Sequence, residues 1–144
     1  MKKIYSKEEV CIGCRYCEIY CLVEHSRSKD IIKAFKMEAP RAIPRIRVEE
    51  EGPVSFALQC RHCEEPECVF ACITGAMYKD SDTGKVIHDP DRCIGCWTCI
   101  MACPYGVIMR DEGNKRIASK CDLCPDLDTP ACVANCPNEA LVYS

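Results

Sequence analysis

Four groups of four cysteines recur along the 144 residues and account for all sixteen cysteines in the chain. They are Cys11-Cys14-Cys17-Cys21, Cys60-Cys63-Cys68-Cys72, Cys93-Cys96-Cys99-Cys103 and Cys121-Cys124-Cys132-Cys136. The first and third share the spacing Cys-x2-Cys-x2-Cys-x3-Cys, and the second and fourth lengthen only the gap before the third cysteine. Any fold this chain adopts must therefore gather sulfur atoms at several places. What those sulfurs hold decides the rest.

Disulfides and metal are the two candidates for so cysteine-rich a chain. Residues Met1 to Val10 carry two lysines with no apolar stretch behind them, and no twin arginine precedes Cys11, so a secretory leader is not expected. No run of 18 apolar residues offers a membrane span. A cytoplasmic location, which keeps thiols reduced and open to metal, is the expectation. Aromatic residues make up only 7% of the chain, and cysteine, counted within the 48% apolar share, supplies 16 of the 144 residues. Metal–thiolate bonds are accordingly expected to supply much of the folding energy, leaving a largely unfolded metal-free chain.

Three thiolates on one tight loop, with a fourth a helical turn later, is the bacterial ferredoxin arrangement for 4Fe–4S clusters. The sixteen cysteines serve as iron ligands for four such clusters with none left over. Each group has its fourth thiolate, so no iron is left open for substrate, and an electron carrier rather than an enzyme is expected. Neither a Gly-x-Gly-x-x-Gly fingerprint nor a phosphate loop is present. The rival metal is zinc, in a structural module, but zinc sites bring ligand pairs together from either side of a loop. Three cysteines each two residues apart crowd a single ion and suit the corners of a cube. The net charge of −3, made more negative by thiolate clusters, argues against a nucleic-acid partner.

Between the groups the chain alternates helix and hairpin signals. The fourth cysteines lead into matching segments, Cys72-Ile-Thr-Gly-Ala-Met, Cys103-Pro-Tyr-Gly-Val-Ile and Cys136-Pro-Asn-Glu-Ala-Leu, while Cys21-Leu-Val-Glu-His-Ser departs from them. Residues 76–88 read as strand, turn at Gly84, strand; a second hairpin runs from Val107 through a turn at Asp111 to Asn114 into Arg116-Ile-Ala. The interval before Cys60 places Ile31, Ile32 and Phe35 at helical spacing behind Ser28 as N-cap, then a hairpin across Glu50-Glu51-Gly52-Pro53. Its basic residues Lys29, Lys33, Lys36, Arg41, Arg45 and Arg47 form either a docking patch or a solvated face.

In two-cluster ferredoxins the fourth cysteine of each group ligates the other cluster. The short interval between the second and third groups favours pairing them, which leaves the first with the fourth. Under this nested scheme Cys60, Cys63 and Cys68 join Cys103, and Cys93, Cys96 and Cys99 join Cys72. Likewise Cys11, Cys14 and Cys17 join Cys136, and Cys121, Cys124 and Cys132 join Cys21. Sequential pairing, first with second and third with fourth, is the alternative. The expected fold is α+β in one unit of residues 1–144: two ferredoxin-like dicluster modules in pseudo-twofold relation, one nested in the other. The inner module covers about 56–107, the outer about 1–25 with 108–144, and a helix/hairpin insertion about 26–55. Ile12, Ile94 and Leu123 are expected to keep water from the sulfurs. His25, His62 and His88 are not needed as ligands; His62 is either a hydrogen-bond donor to cluster sulfur or a plain surface histidine.

The four groups and the Cys-Arg-His-Cys-Glu-Glu-Pro-Glu-Cys stretch from Cys60 to Cys68 closely resemble the four-cluster electron-transfer subunits of anaerobic oxidoreductases. That family includes the iron–sulfur subunits of formate dehydrogenases, hydrogenases and dimethyl sulfoxide reductase. The Cys-Ile-Gly-Cys-Arg-Tyr-Cys, Cys-Leu-Val-Glu-His and Lys-Cys-Asp-Leu-Cys-Pro segments are most similar to the subunit accompanying carbon monoxide dehydrogenase. The resemblance implies nested ligation and four 4Fe–4S clusters, since Trp97 stands beside Cys96 rather than replacing a ligand. It implies carbon monoxide dehydrogenase as the catalytic partner, with an FAD/NAD oxidoreductase or hydrogenase as acceptor. A tungsten aldehyde oxidoreductase or formate dehydrogenase partner, or a free polyferredoxin, are the alternatives.

Overall fold

Each cysteine group starts in a loop whose residue before the second cysteine is left-handed, and each runs into a short helix. The left-handed residues are Gly13, His62, Gly95 and Leu123, with φ of 68°, 46°, 73° and 64°. Glycine takes this conformation freely, whereas histidine and leucine adopt it against steric resistance. The computed structural model describes residues 1–111, 113 and 117–144. Its helices are α1 (Tyr16–Glu24), α2 (Ile31–Lys36), α3 (Glu67–Ala71), α4 (Thr98–Ala102) and α5 (Ala131–Ala134). Its strands are β1 (Ile4–Ser6), β2 (Ile46–Glu51), β3 (Val54–Gln59), β4 (Met77–Lys79), β5 (Val86–His88), β6 (Met109–Asp111), β7 (Ile117–Ser119) and β8 (Leu141–Tyr143).

The two loop lengths start their helices differently. In the short-gap groups, Arg15 and Trp97 enter α1 and α4 through a second left-handed residue. In the long-gap groups the extra residues include Pro66 and Pro130, which open α3 and α5 with the φ a helix needs already set. In all four, the helix carries the third cysteine inward: Cys17, Cys68, Cys99 and Cys132 are buried. The fourth cysteine of the second and third groups caps the C-terminus of its helix, at Cys72 and Cys103.

Among the described residues the strands form four two-stranded antiparallel sheets. The hairpins β2–β3, β4–β5 and β6–β7 join neighbours in sequence, whereas β1 pairs with β8 from the far end, Ile4 opposite Tyr143 and Ser6 opposite Leu141. Helix α1 packs on α5, and α3 on α4. The β2–β3 hairpin alternates as a one-sided sheet should, burying Ile46 and Val48 opposite Gln59 and Ala57. Gln59 Nε2 donates to Ile4 O at 2.8 Å and Ser6 Oγ to Ala57 O, fixing the hairpin to β1. One core gathers Cys17, Cys21, Cys60, Cys121, Leu123 and Cys132 with aliphatic side chains; a second gathers Cys68, Cys99, Met77, Val86 and Ile108.

The insertion departs from expectation in its helix. Asp30, not Ser28, is the N-cap of α2, accepting from the N–H groups of Ile32 and Lys33 at 3.0 and 3.1 Å. Ser28 donates instead to Glu38. Six residues make under two turns, and only Ala34 is buried, so Ile31 and Ile32 face solvent. The hairpin expected after the third cysteine group is present as β6–β7, but Glu112 and Asn114 of its expected turn, Lys115, and Arg116 of its expected second strand lie outside the described residues.

Candidate metal centres

Cysteines from different groups meet around common spaces. A narrow void is walled by Cys11, Cys14 and Cys17 together with Cys136, with Val48, Ala57 and Leu141 also lining it. Another is walled by Cys93, Cys96 and Cys99 together with Cys72, with Met77 and Ala118 also lining it. Cys132 shares one buried core with Cys121 and Cys21, and with Cys17. Around Cys68 the thiols of Cys60 and Cys103 act, and Cys63 is half-buried in the same loop. Of the sixteen, Cys14 and Cys96 are exposed and the rest are buried or half-buried.

Burial makes these poor thiolates without metal. It pushes the thiols of Cys17 and Cys121 up to about 12, those of Cys68, Cys99 and Cys124 up to about 11, and Cys132 higher still. Cys72 is the opposite case: against its partial burial, the Met77 N–H at 3.4 Å and Thr74 hold its thiol below the ordinary value. The Thr98 hydroxyl, 3.4 Å away, does the same for Cys96. Further backbone N–H groups point at sulfur from Arg45 to Cys21 (3.1 Å), Ala140 to Cys136 (3.2 Å) and His62 to Cys60 (3.5 Å). Such amides favour charge on sulfur.

The donor set fits a 4Fe–4S group. No carboxylate lines either sulfur-walled void, and the thiolates converge from a loop and a second, distant segment rather than as two pairs. His88 lines the Cys72 void, and its buried Nε2 has no partner among the described residues, a polar atom left free for a group the polypeptide does not supply. When bound, each such group takes up or releases one electron; the chain's part is to hold it, direct amides at its sulfurs and exclude water.

The water-excluding residues are corrected in part. Leu123 is buried, but Ile12 and Ile94 line the mouths of their voids with most of their surface exposed. His62 is not a surface histidine: it is 1% exposed, its Nδ1 accepts from Val86 N–H at 3.0 Å, and burial pushes its pKa down to about 3. Much of the expected basic patch is engaged internally, Lys29 with Glu24, Arg45 with Asp122 and Arg47 with Glu49.

One cluster of polar side chains went unread in the sequence. Asp122, inside the fourth ligand loop, receives Arg45 Nη1 at 2.9 Å, His25 Nε2 at 3.1 Å and the Cys124 N–H at 3.0 Å. Despite burial, which opposes it, hydrogen bonding to Asp122 and then Cys21 raises His25 to about 9. His25, Asp122 and Cys124 present ligand atoms within 4.8 Å of one another, but Asp122 is already satisfied by Arg45, His25 and the Cys124 N–H. No local pattern marks this network, because His25 and Asp122 are 97 residues apart.

The 4Fe-4S dicluster domain family matches residues 54–144. The electron transport protein HydN of Escherichia coli K12 is 39% identical over 147 residues, covering 92% of this chain and 81% of HydN. An iron–sulfur protein of Rhodospirillum rubrum is 36% identical, covering 96% and 79%. The thiosulfate reductase electron transfer subunit PhsB of Salmonella typhi is 35% identical, covering 94% and 71%. Among solved structures, the active site complex BamBC of benzoyl coenzyme A reductase as isolated contains a chain that aligns with a TM-score of 0.55 at 26% identity, covering all of this chain and 76% of that one. No helix of the described residues is long and apolar enough to cross a membrane.

Proposed function

The chain belongs to the 4Fe-4S dicluster domain family and is an iron–sulfur electron-transfer protein similar to HydN and PhsB, a carrier rather than a catalyst; from that premise we propose that its sixteen cysteines hold four 4Fe–4S clusters in a line. The observation that carries this reading is the entry of Cys136 and Cys72 into voids otherwise walled by the first and third groups. That crossing supports the nested ligand scheme, with Cys21 completing the Cys121 set and Cys103 the Cys60 set. The pairing of β1 with β8, and of α1 with α5, supports an outer module of about 1–25 with 108–144 around an inner one of about 56–107.

The line runs from the Cys11 set through the Cys121 and Cys60 sets to the Cys93 set. Cys17 of the first acts on Cys132 of the second, and Cys60 of the third on Cys121 of the second. Cys68 of the third shares a core with Cys99 of the fourth. The exposed cysteines, Cys14 and Cys96, sit in the two terminal sets, where partners would exchange electrons.

The motif segments around Cys11, Cys21 and Cys121 support carbon monoxide dehydrogenase as the catalytic partner, with an FAD/NAD oxidoreductase or hydrogenase as acceptor. Formate dehydrogenase and tungsten aldehyde oxidoreductase are the nearest alternatives, and PhsB's thiosulfate reductase shows that relatives serve other enzymes. A cytoplasmic location follows from the need for sixteen reduced thiols. Anaerobic purification of the tagged chain from its native cells tests the partner. Co-purification of a large carbon monoxide-oxidising enzyme is expected; a chain recovered alone would favour a freely diffusing polyferredoxin.

A further inference from the structure

Lys120 immediately precedes Cys121 and is only 3% exposed. Its ammonium donates to Cys121 O at 2.8 Å and forms no ion pair among the described residues. It lies in the wall of a cleft of about 440 Å³ that also contains three carboxylates. None pairs with Lys120: Asp122 is held by Arg45 and His25, while Asp80 bonds Thr83 and the Asp82 N–H and Asp111 bonds the Gly113 N–H. Arg45 and Lys85 on the same walls add positive charge.

A buried cation without a counter-anion is among the costliest groups a fold can contain. Among the described residues no carboxylate lies within ion-pair reach of the ammonium to supply a direct counter-charge while the neighbouring sulfurs are protonated thiols. The sulfurs do supply it once they hold clusters, and Lys120 is placed to meet two sets at once: its ammonium bonds Cys121 O at 2.8 Å, and Cys121 shares a buried core with Cys60 of the next set. We propose that Lys120 is a built-in counter-charge between the two inner clusters, stabilising their reduced states and raising their potentials relative to the outer pair. The proposal rests on the four-cluster reading above. Each reduction adds one electron and one negative charge to a cluster, breaks no bond and needs no proton. A fixed ammonium in a site of low dielectric meets that charge without solvent having to reorganise.

The test is an EPR-monitored redox titration of the anaerobically purified full chain, as wild type and as Lys120→Met, Lys120→Gln and Lys120→Arg. A wild type lacking four reducible clusters would sink the underlying reading before any variant is compared. Given four, the two neutral variants are expected to lower two midpoints by at least tenfold in reduction equilibrium each, about 59 mV per tenfold for a one-electron couple. The other two midpoints stay in place, and Lys120→Arg, which keeps the charge, stays close to wild type. The shift is expected to persist at high salt, because a buried charge is little screened. Unchanged midpoints in the neutral variants, or an equal shift of all four, would overturn the proposal. If the neutral variants do not take up iron, loading of Lys120→Arg alone supports a requirement for charge, whereas failure of all three shows that the site uses the lysine's shape and overturns it.

Discussion

Replacing Cys21 with serine separates the nested ligand scheme from sequential pairing, because the two assign this thiol to different clusters. Cys21 is buried on α1, accepts the Arg45 N–H at 3.1 Å, and acts electrostatically on Cys121, Cys124 and Cys132. Under the nested scheme the loss falls on the Cys121 set. The single variant is expected to lose between about one iron, if a three-iron cluster forms, and about four, if that cluster is lost altogether. Double variants then identify the cluster. Adding Cys121→Ser strikes the same cluster, so the total loss stays within about four irons and the two effects are strongly non-additive. Adding Cys60→Ser strikes a second cluster, so the losses sum, up to about eight irons. Iron analysis and spin quantitation of the dithionite-reduced samples read these numbers directly. Sequential pairing requires the reverse, additive loss with Cys121→Ser and shared loss with Cys60→Ser, and that outcome would refute the structural argument.

Stripping the iron under reducing conditions should abolish most far-UV circular dichroism, since the two cores are built largely around cysteine; a metal-free chain with native-like dichroism would contradict this. Because burial raises most of the inward thiols and iron binds only thiolate, reassembly should release about four protons per cluster. Cluster bleaching, followed by visible absorbance, should accordingly quicken as pH falls, and a rate independent of pH in acid would count against it. Leu123→Ala removes a buried side chain, at a cost of about 2–5 kcal/mol, and keeps alanine in the left-handed conformation. Leu123→Gly relieves about 1–2 kcal/mol of that backbone cost, so its guanidinium midpoint for bleaching should be no lower than the alanine variant's. A markedly weaker glycine variant would show that strain at this φ is unimportant.

Those cysteine groups made the helices and hairpins legible, because ligand spacing is a local pattern and Gly84 and Gly52-Pro53 mark turns in the short chain between strands. What escaped was set by tertiary placement. Strands β1 and β8 have three residues each, too few to show a period, and their pairing depends on chain segments 137 residues apart. The left-handed residue before each second cysteine is visible as glycine at Gly13 and Gly95 but disguised at His62 and Leu123. His62 looked exposed because histidine in a polar loop usually is, yet the β5 backbone takes its ring into the interior. Ser28 and Asp30 are equally good caps by type, and only where α2 begins decides between them. The burial of Lys120 has no sequence signature at all, since lysine beside a ligand loop normally extends to water.

The most direct test is elemental analysis of strictly anaerobic protein together with its paramagnetism after dithionite. About 16 irons and about 16 acid-labile sulfides per chain, with brown absorbance and interacting signals from reduced clusters, are the predicted result. Stoichiometric zinc, no sulfide and no signal would contradict it.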